Sequence, residues 1–210
     1  MSSIASDIDV TCPNKCNPFP VKVWTLIRAD LDTDVKHTII NGELNLIKCP
    51  GCGVLFYYQT PVVYIDAKED VFIFMFPHEY ESQKNQWRKK MNDDFKVLKK
   101  GFLRELKINC EPTIVFGMEN LKKILQEHEN THEESQVITF LAEKLKFELR
   151  KIKPSDACKK GFPFVVPYEG ESLNKKSLVS ACEKVLKGHY GLKRLKNFLQ
   201  HILKTKKLPI

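Results

Sequence analysis

Cys12-Pro13-Asn14-Lys15-Cys16 and, 33 residues further on, Cys49-Pro50-Gly51-Cys52-Gly53 are the two stretches that decide how this chain is read. Each sets two cysteines a few residues apart on a proline-containing turn, so each turn offers two sulfurs to one point in space. Zn²⁺ accepts four thiolates in a tetrahedron, and such a set closes its coordination sphere. Cys12, Cys16, Cys49 and Cys52 are therefore read as the ligands of one structural Zn²⁺. A closed sphere leaves no position for water or substrate, so no catalysis is expected there. In the second knuckle Pro50 presets φ, while Gly51 and Gly53 allow the tight backbone that aims N–H groups at sulfur. Four thiolates around one dication leave a charge of −2, which such donors and the neighbouring Lys15 and Lys48 would offset. The competing reading is that both turns carry buried thiols and nothing more.

The remaining cysteines of the seven, Cys110, Cys158 and Cys182, are scattered and receive no role. An odd count in a chain of 210 residues does not suggest a secreted disulfide framework. The start, Met1-Ser2-Ser3-Ile4-Ala5-Ser6-Asp7, lacks the basic and apolar run of a signal peptide. No window approaches the ~20 apolar residues of a membrane span. A cytoplasmic, reducing setting is the expectation. With 42% hydrophobic residues, 13 Phe and 6 Tyr, the chain can bury one ordinary core and a smaller second cluster.

Working outward from the knuckles, Val21 to Ile27 reads as a strand, being β-branched and aromatic with partial alternation. Asp32-Thr33-Asp34 offers a cap for a helix over 35–40, which Asn41-Gly42 ends. Leu44 to Ile47 returns the chain to the second knuckle. Three apolar runs follow, Val54–Tyr58, Val62–Ile65 and Val71–Phe76, and are expected to form an antiparallel meander closed by Pro77. From Glu79 to Lys100 a helix is expected, with Trp87, Met91, Phe95 and Leu98 on one face. An extended piece near Val115 precedes a helix over 119–126, and a longer helix is expected over 134–151, stopped by Pro154. The segment 161–170 holds two prolines and two glycines and reads as an extended connection. Two tail helices, 173–187 and 192–204, hinge at Gly188-His189-Tyr190-Gly191.

The two Cys-Pro knuckles, the strand with Trp24, the helix ending at Asn41-Gly42, the run Leu44 to Gly53, then Tyr64-Ile65-Asp66 and the strand Phe72 to Pro77 resemble the CpXC domain family of prokaryotic proteins. The resemblance covers about residues 9 to 125 and could extend to 150. It implies a fold and a metal-binding role for the cysteine pairs, and it implies little about activity. The first knuckle differs from the family's, with three residues between its cysteines where the family has fewer.

His128-Glu129-Asn130-Thr131-His132 spells H-E-x-x-H, which on a helix places both imidazoles on one side with a glutamate set as general base. A metallohydrolase using His128, Glu129 and His132, with Glu148 as a third ligand, is thus one alternative. Against it, the flanking Glu127, Glu133 and Glu134 are charged, and Thr131 with Glu134 makes a capping box, so a solvated connection between helices is the plainer reading.

The charge is placed unevenly. From Lys184 onward there are eight basic residues and no acidic ones, which leaves the first 183 residues balanced at 26 of each sign; the net charge of +8 belongs to the tail. Lys193, Lys196, Lys204 and Lys207 could contact a protein or a nucleic acid, lie on an anionic membrane, or stand as the solvated side of a packed helix. Lysine outnumbers arginine here, which does not favour base-specific reading of DNA.

Together these readings predict an α+β protein, with zinc-ribbon-like four-cysteine knuckles and a small antiparallel β-meander followed by helices. Its expected divisions are a zinc-binding domain over 9–130, a helix and extended connection over 131–170, and a basic two-helix tail over 171–210. The expected role is a non-enzymatic binding or scaffolding module. Polyanion binding by the tail and the 128–132 hydrolase are its alternatives.

Overall fold

The computed structural model describes residues 2–106, 108 and 110–205. The chain is α+β and separates into two compact units, Met1–Leu125 and Gln126–Ile210.

In the first unit the elements run β1 (Ile4–Val10), β2 (Phe19–Arg28), α1 (Thr33–Asn41), β3 (Leu46–Lys48), β4 (Leu55–Tyr57), β5 (Val62–Asp66) and β6 (Val71–Phe76). A 3₁₀ turn (His78–Gln83), α2 (Lys84–Lys100), α3 (Phe102–Glu105), β7 (Thr113–Phe116) and the start of α4 (Met118–Leu145) follow. Five strands form one mixed sheet in the order β1-β2-β5-β6-β7, while β3 and β4 form a separate antiparallel pair. The expected three-run meander is therefore corrected. Only β5 and β6 pair as a hairpin, with Val62 opposite Met75. The run containing β4 leaves the sheet to pair with β3, and β2 lies parallel to β5, Leu26 beside Val63. Apolar content marked all three runs as strands, but their order is set by the α1–β3–β4 excursion between β2 and β5, which antiparallel neighbours would not need.

β6 is an unbroken apolar run because both of its faces are covered. Phe72, Phe74 and Phe76 pack with Met91, Phe95, Leu103 and Phe116 on the side of α2 and α3. Ile73 and Met75 pack with Ile27, Ile39, Tyr64, Leu121 and Leu125 on the side of α1 and the first turns of α4. Of the expected α2 stripe, Met91 and Phe95 are buried and Trp87 and Leu98 partly so. α1 begins one residue after Asp32, whose carboxylate accepts from the Ser3 N–H at 2.9 Å instead of capping the helix. Gly42 ends α1 at φ +78°, as its lack of a Cβ permits.

The second unit holds the rest of α4, β8 (Glu148–Lys151), α5 (Pro154–Lys160), β9 (Val165–Tyr168), α6 (Lys175–Gly188) and α7 (Lys193–Lys204). Here the two expected helices before Pro154 are corrected. Residues 127–133 are helical, so α4 is one element, and it stops at Leu145 where a helix to 151 was expected. Lys146 takes φ +57°, and the Phe147 N–H donates back to the Ala142 carbonyl at 2.9 Å, which ends the helix and frees 148–151 to pair with β9. Pro154 starts α5 at its first turn, where a missing N–H costs nothing. The stretch 161–170 supplies β9 and the buried Phe162 and Phe164, which pack with Ile138, Leu178, Val185, Leu195, Phe198 and Ile202. The Asn174–Ser177 capping box sets the start of α6.

Candidate metal centre

Both cysteine pairs sit on hairpin turns. Residues 11–18 join β1 to β2, whose register closes at Val10 opposite Phe19, and 49–54 join β3 to β4, closing at Lys48 opposite Leu55. The second turn is locked by Cys49 N–H to the Val54 carbonyl and Gly53 N–H to the Cys49 carbonyl, both 2.9 Å, with Gly53 at φ +74°. In the first, the Lys15 N–H donates to the Cys12 carbonyl at 2.8 Å and Lys15 itself takes φ +59°. For an L-residue that left-handed twist costs about 1 kcal/mol. It lets the longer spacing turn back on itself and return Cys16 to Cys12.

Asn45 brings the two turns together. Its side-chain oxygen accepts from the Trp24 N–H at 2.8 Å and its amide donates to the Trp24 carbonyl at 3.0 Å, fastening the β3–β4 hairpin to β2. The Tyr57 hydroxyl adds a bond to the Gly42 carbonyl at 2.7 Å. Gly51 faces the first knuckle: a Cβ there would lie 3.5 Å from both Cβ and Sγ of Cys16. An alanine would just touch, and a longer side chain would wedge the turns apart.

The four sulfurs of Cys12, Cys16, Cys49 and Cys52 all lie within 4.8 Å of one another, with Cys12 and Cys52 3.5 Å apart. A tetrahedron with Zn–S bonds of ~2.3 Å has an edge of about 3.8 Å, so the cluster brackets the size an ion would impose. Cys12 and Cys49 are buried, Cys16 is intermediate and Cys52 exposed. Two donors from Asn14 approach the sulfurs, its backbone N–H to Cys12 at 3.4 Å and its side-chain amide to Cys52 at 3.5 Å.

The electrostatics of the four thiols are set by one another and by the backbone. The Val54 backbone N–H, helped by the neighbouring thiols, pulls Cys52 down to about 6. Cys16, whose proton is shared with Cys52 and then Cys49, is pushed up to about 12, and burial raises Cys12. Without an ion the cluster thus gathers its negative charge on Cys52 and holds Cys12 and Cys16 protonated. A bound cation would be needed to deprotonate those two at neutral pH.

His128, Glu129 and His132 lie on α4. The imidazoles are one helical turn apart, with ring centroids separated by 5.8 Å, and both pack against Phe164, at 4.9 and 5.1 Å. Thr131 does not cap a following helix: its hydroxyl donates to the Glu127 carbonyl at 2.6 Å, and Ser135 donates likewise to the Thr131 carbonyl while accepting from the Phe164 N–H. These bonds satisfy the hydroxyls inside a helix, and Thr131 and Ser135 are buried with His128. Glu148 is exposed on β8, and its carboxylate is not gathered with the two imidazoles. On α7, Lys193, Lys196 and Lys204 are exposed, whereas Lys207 lies outside the described residues.

Asn14, Asn45 and Val54 were not singled out by sequence. The one signal for Asn45 is a lone polar residue inside the apolar stretch Leu44–Ile47; it is 7% exposed. Comparison with curated proteins and with solved structures returns no match. A family model described as CpXC protein matches residues 10–138, a span that contains all four clustered cysteines, and the chain therefore belongs to the CpXC protein family.

Proposed function

We propose that Cys12, Cys16, Cys49 and Cys52 hold one Zn²⁺ as a structural site, and that the protein is a non-enzymatic binding or scaffolding module built on that zinc-ribbon-like core. The observation that carries this reading is the convergence of four sulfurs, from two separate hairpin turns, to within 4.8 Å of one another. An all-thiolate tetrahedral set suits Zn²⁺ above harder divalent ions. The Asn14 donors supply the outer hydrogen bonds that such a site uses to spread its negative charge. When bound, the ion supplies a cross-link between the β1–β2 and β3–β4 hairpins, with a binding free energy on the order of 10 kcal/mol that is also folding free energy. A cytoplasmic, reducing setting would keep the thiols available.

In this reading the imidazoles of His128 and His132 serve packing against Phe164, and Glu129 is a helix-surface carboxylate. The test is the variant Cys49→Ala/Cys52→Ala, followed by circular dichroism and metal analysis. Loss of both zinc and the folded first unit is expected. A variant that stays folded with its zinc content unchanged would refute the assignment.

A further inference from the structure

The second unit has an open, solvent-facing cavity of about 350 Å³ lined by Lys160, Phe162, Asn197, Gln200, His201 and Lys204, with no carboxylate on its walls among the described residues. Its construction follows from the amphipathicity of α7. Leu195, Phe198 and Ile202 are fully buried, which turns Asn197, Gln200 and Lys204 outward toward the end of α5. Phe162 forms the floor, edge-on to Phe198 at 5.3 Å and to His201 at 5.1 Å. The Lys160 ammonium stands 5.9 Å from the Phe162 ring centre, and the Asn197 amide donates to the Gly161 carbonyl at 3.4 Å, joining the two rims.

Lysines in the last turn of a helix ordinarily compensate its carbonyl end. Here that task falls to other groups. Lys175 donates to the Leu203 and Thr205 carbonyls at 3.4 and 2.9 Å, and Thr205 donates to the His201 carbonyl through both its N–H and its hydroxyl. At the end of α5, the Gly161 and Phe162 N–H groups close on the Cys158 and Ala157 carbonyls. Lys160 and Lys204 are exposed and border a concave site that also offers amide and imidazole groups.

We propose that this cavity binds the phosphate group of a phosphate ester, presented either by a free nucleoside monophosphate or by the backbone of a single-stranded nucleic acid. Two ammonium groups meet the charge as point cations, and the Asn197 and Gln200 amides supply neutral donors. The inference goes beyond the metal reading and uses no residue of the first unit, so either can fail alone.

The test titrates the full-length, zinc-loaded chain with adenosine monophosphate and, separately, with a short oligothymidylate. Amide resonances of Gly161 and residues 197–204 should move with the probe that binds. Lys160→Gln/Lys204→Gln should weaken that binding about tenfold, while the charge-matched control Lys187→Gln/Lys193→Gln should change it less than about twofold. Binding of the monophosphate identifies a free ester as the source. Binding of the oligonucleotide, with a salt slope reduced by about 0.7 in the Lys160/Lys204 variant, identifies the backbone. Failure of both probes to bind, or an equal loss in the control, would overturn the proposal.

Discussion

Arg28 and Asp30 form a bidentate pair inside the first unit, at 2.9 and 2.7 Å, with side chains only 4% and 7% exposed. The guanidinium holds the Asp30 carboxyl below the usual carboxylate range, so the pair contributes stability above the unfolded pKa of ~3.9 and loses it as pH falls through the depressed folded value. Asp30→Asn should cost about 3 kcal/mol at neutral pH, because it leaves a buried guanidinium facing an amide. Urea unfolding as a function of pH should show that gap closing in acid; a gap that persists there would deny the charge its role. At this scale the cysteines were legible, since short spacing on a proline turn is a local property. The partners of those cysteines were not. The contacts of Asn14 depend on Lys15 adopting φ +59°, and that of Asn45 with Trp24 spans 21 residues, so neither leaves a trace in local pattern.

The elements legible in sequence were the strands β2, β4, β5 and β6, whose apolar and β-branched runs mark them though not their order, together with α1, α2 and the tail helices α6 and α7. β1 was missed because Ile4–Val10 alternates weakly and mostly faces solvent as an edge strand; it is recognisable through its pairing with β2. α4 was broken in two because Asn130 and Thr131 are poor interior helix residues and Thr131 with Glu134 mimics a start signal. Burial overrides that preference, since His128, Thr131, Ser135 and Ile138 repeat at helical spacing on one buried face. It follows that His128→Ala should remove a packed ring from against Phe164 and destabilise the second unit by about 2 kcal/mol, leaving the zinc content at the wild-type value. Thermal unfolding and metal analysis of the variant check this. An unchanged melting temperature with loss of a metal would instead favour the 128–132 hydrolase.

For the whole molecule, the net charge of +8 resides in a tail whose apolar side is part of the second unit's core. Among the described residues no helix is long and apolar enough to cross a membrane. Removing residues 171–210 would strip Leu178, Val185, Leu195, Phe198 and Ile202 from that core, so the role of the tail is better tested by charge substitution than by truncation. The first unit has the opposite dependence: its two hairpins meet at the four sulfurs of Cys12, Cys16, Cys49 and Cys52, and not at an apolar core. Elemental analysis of full-length protein purified without added metal puts this to the most direct test. One zinc per folded chain, lost in Cys49→Ala/Cys52→Ala, is the predicted result; a folded chain with no metal, or one that keeps its zinc without those cysteines, would contradict it.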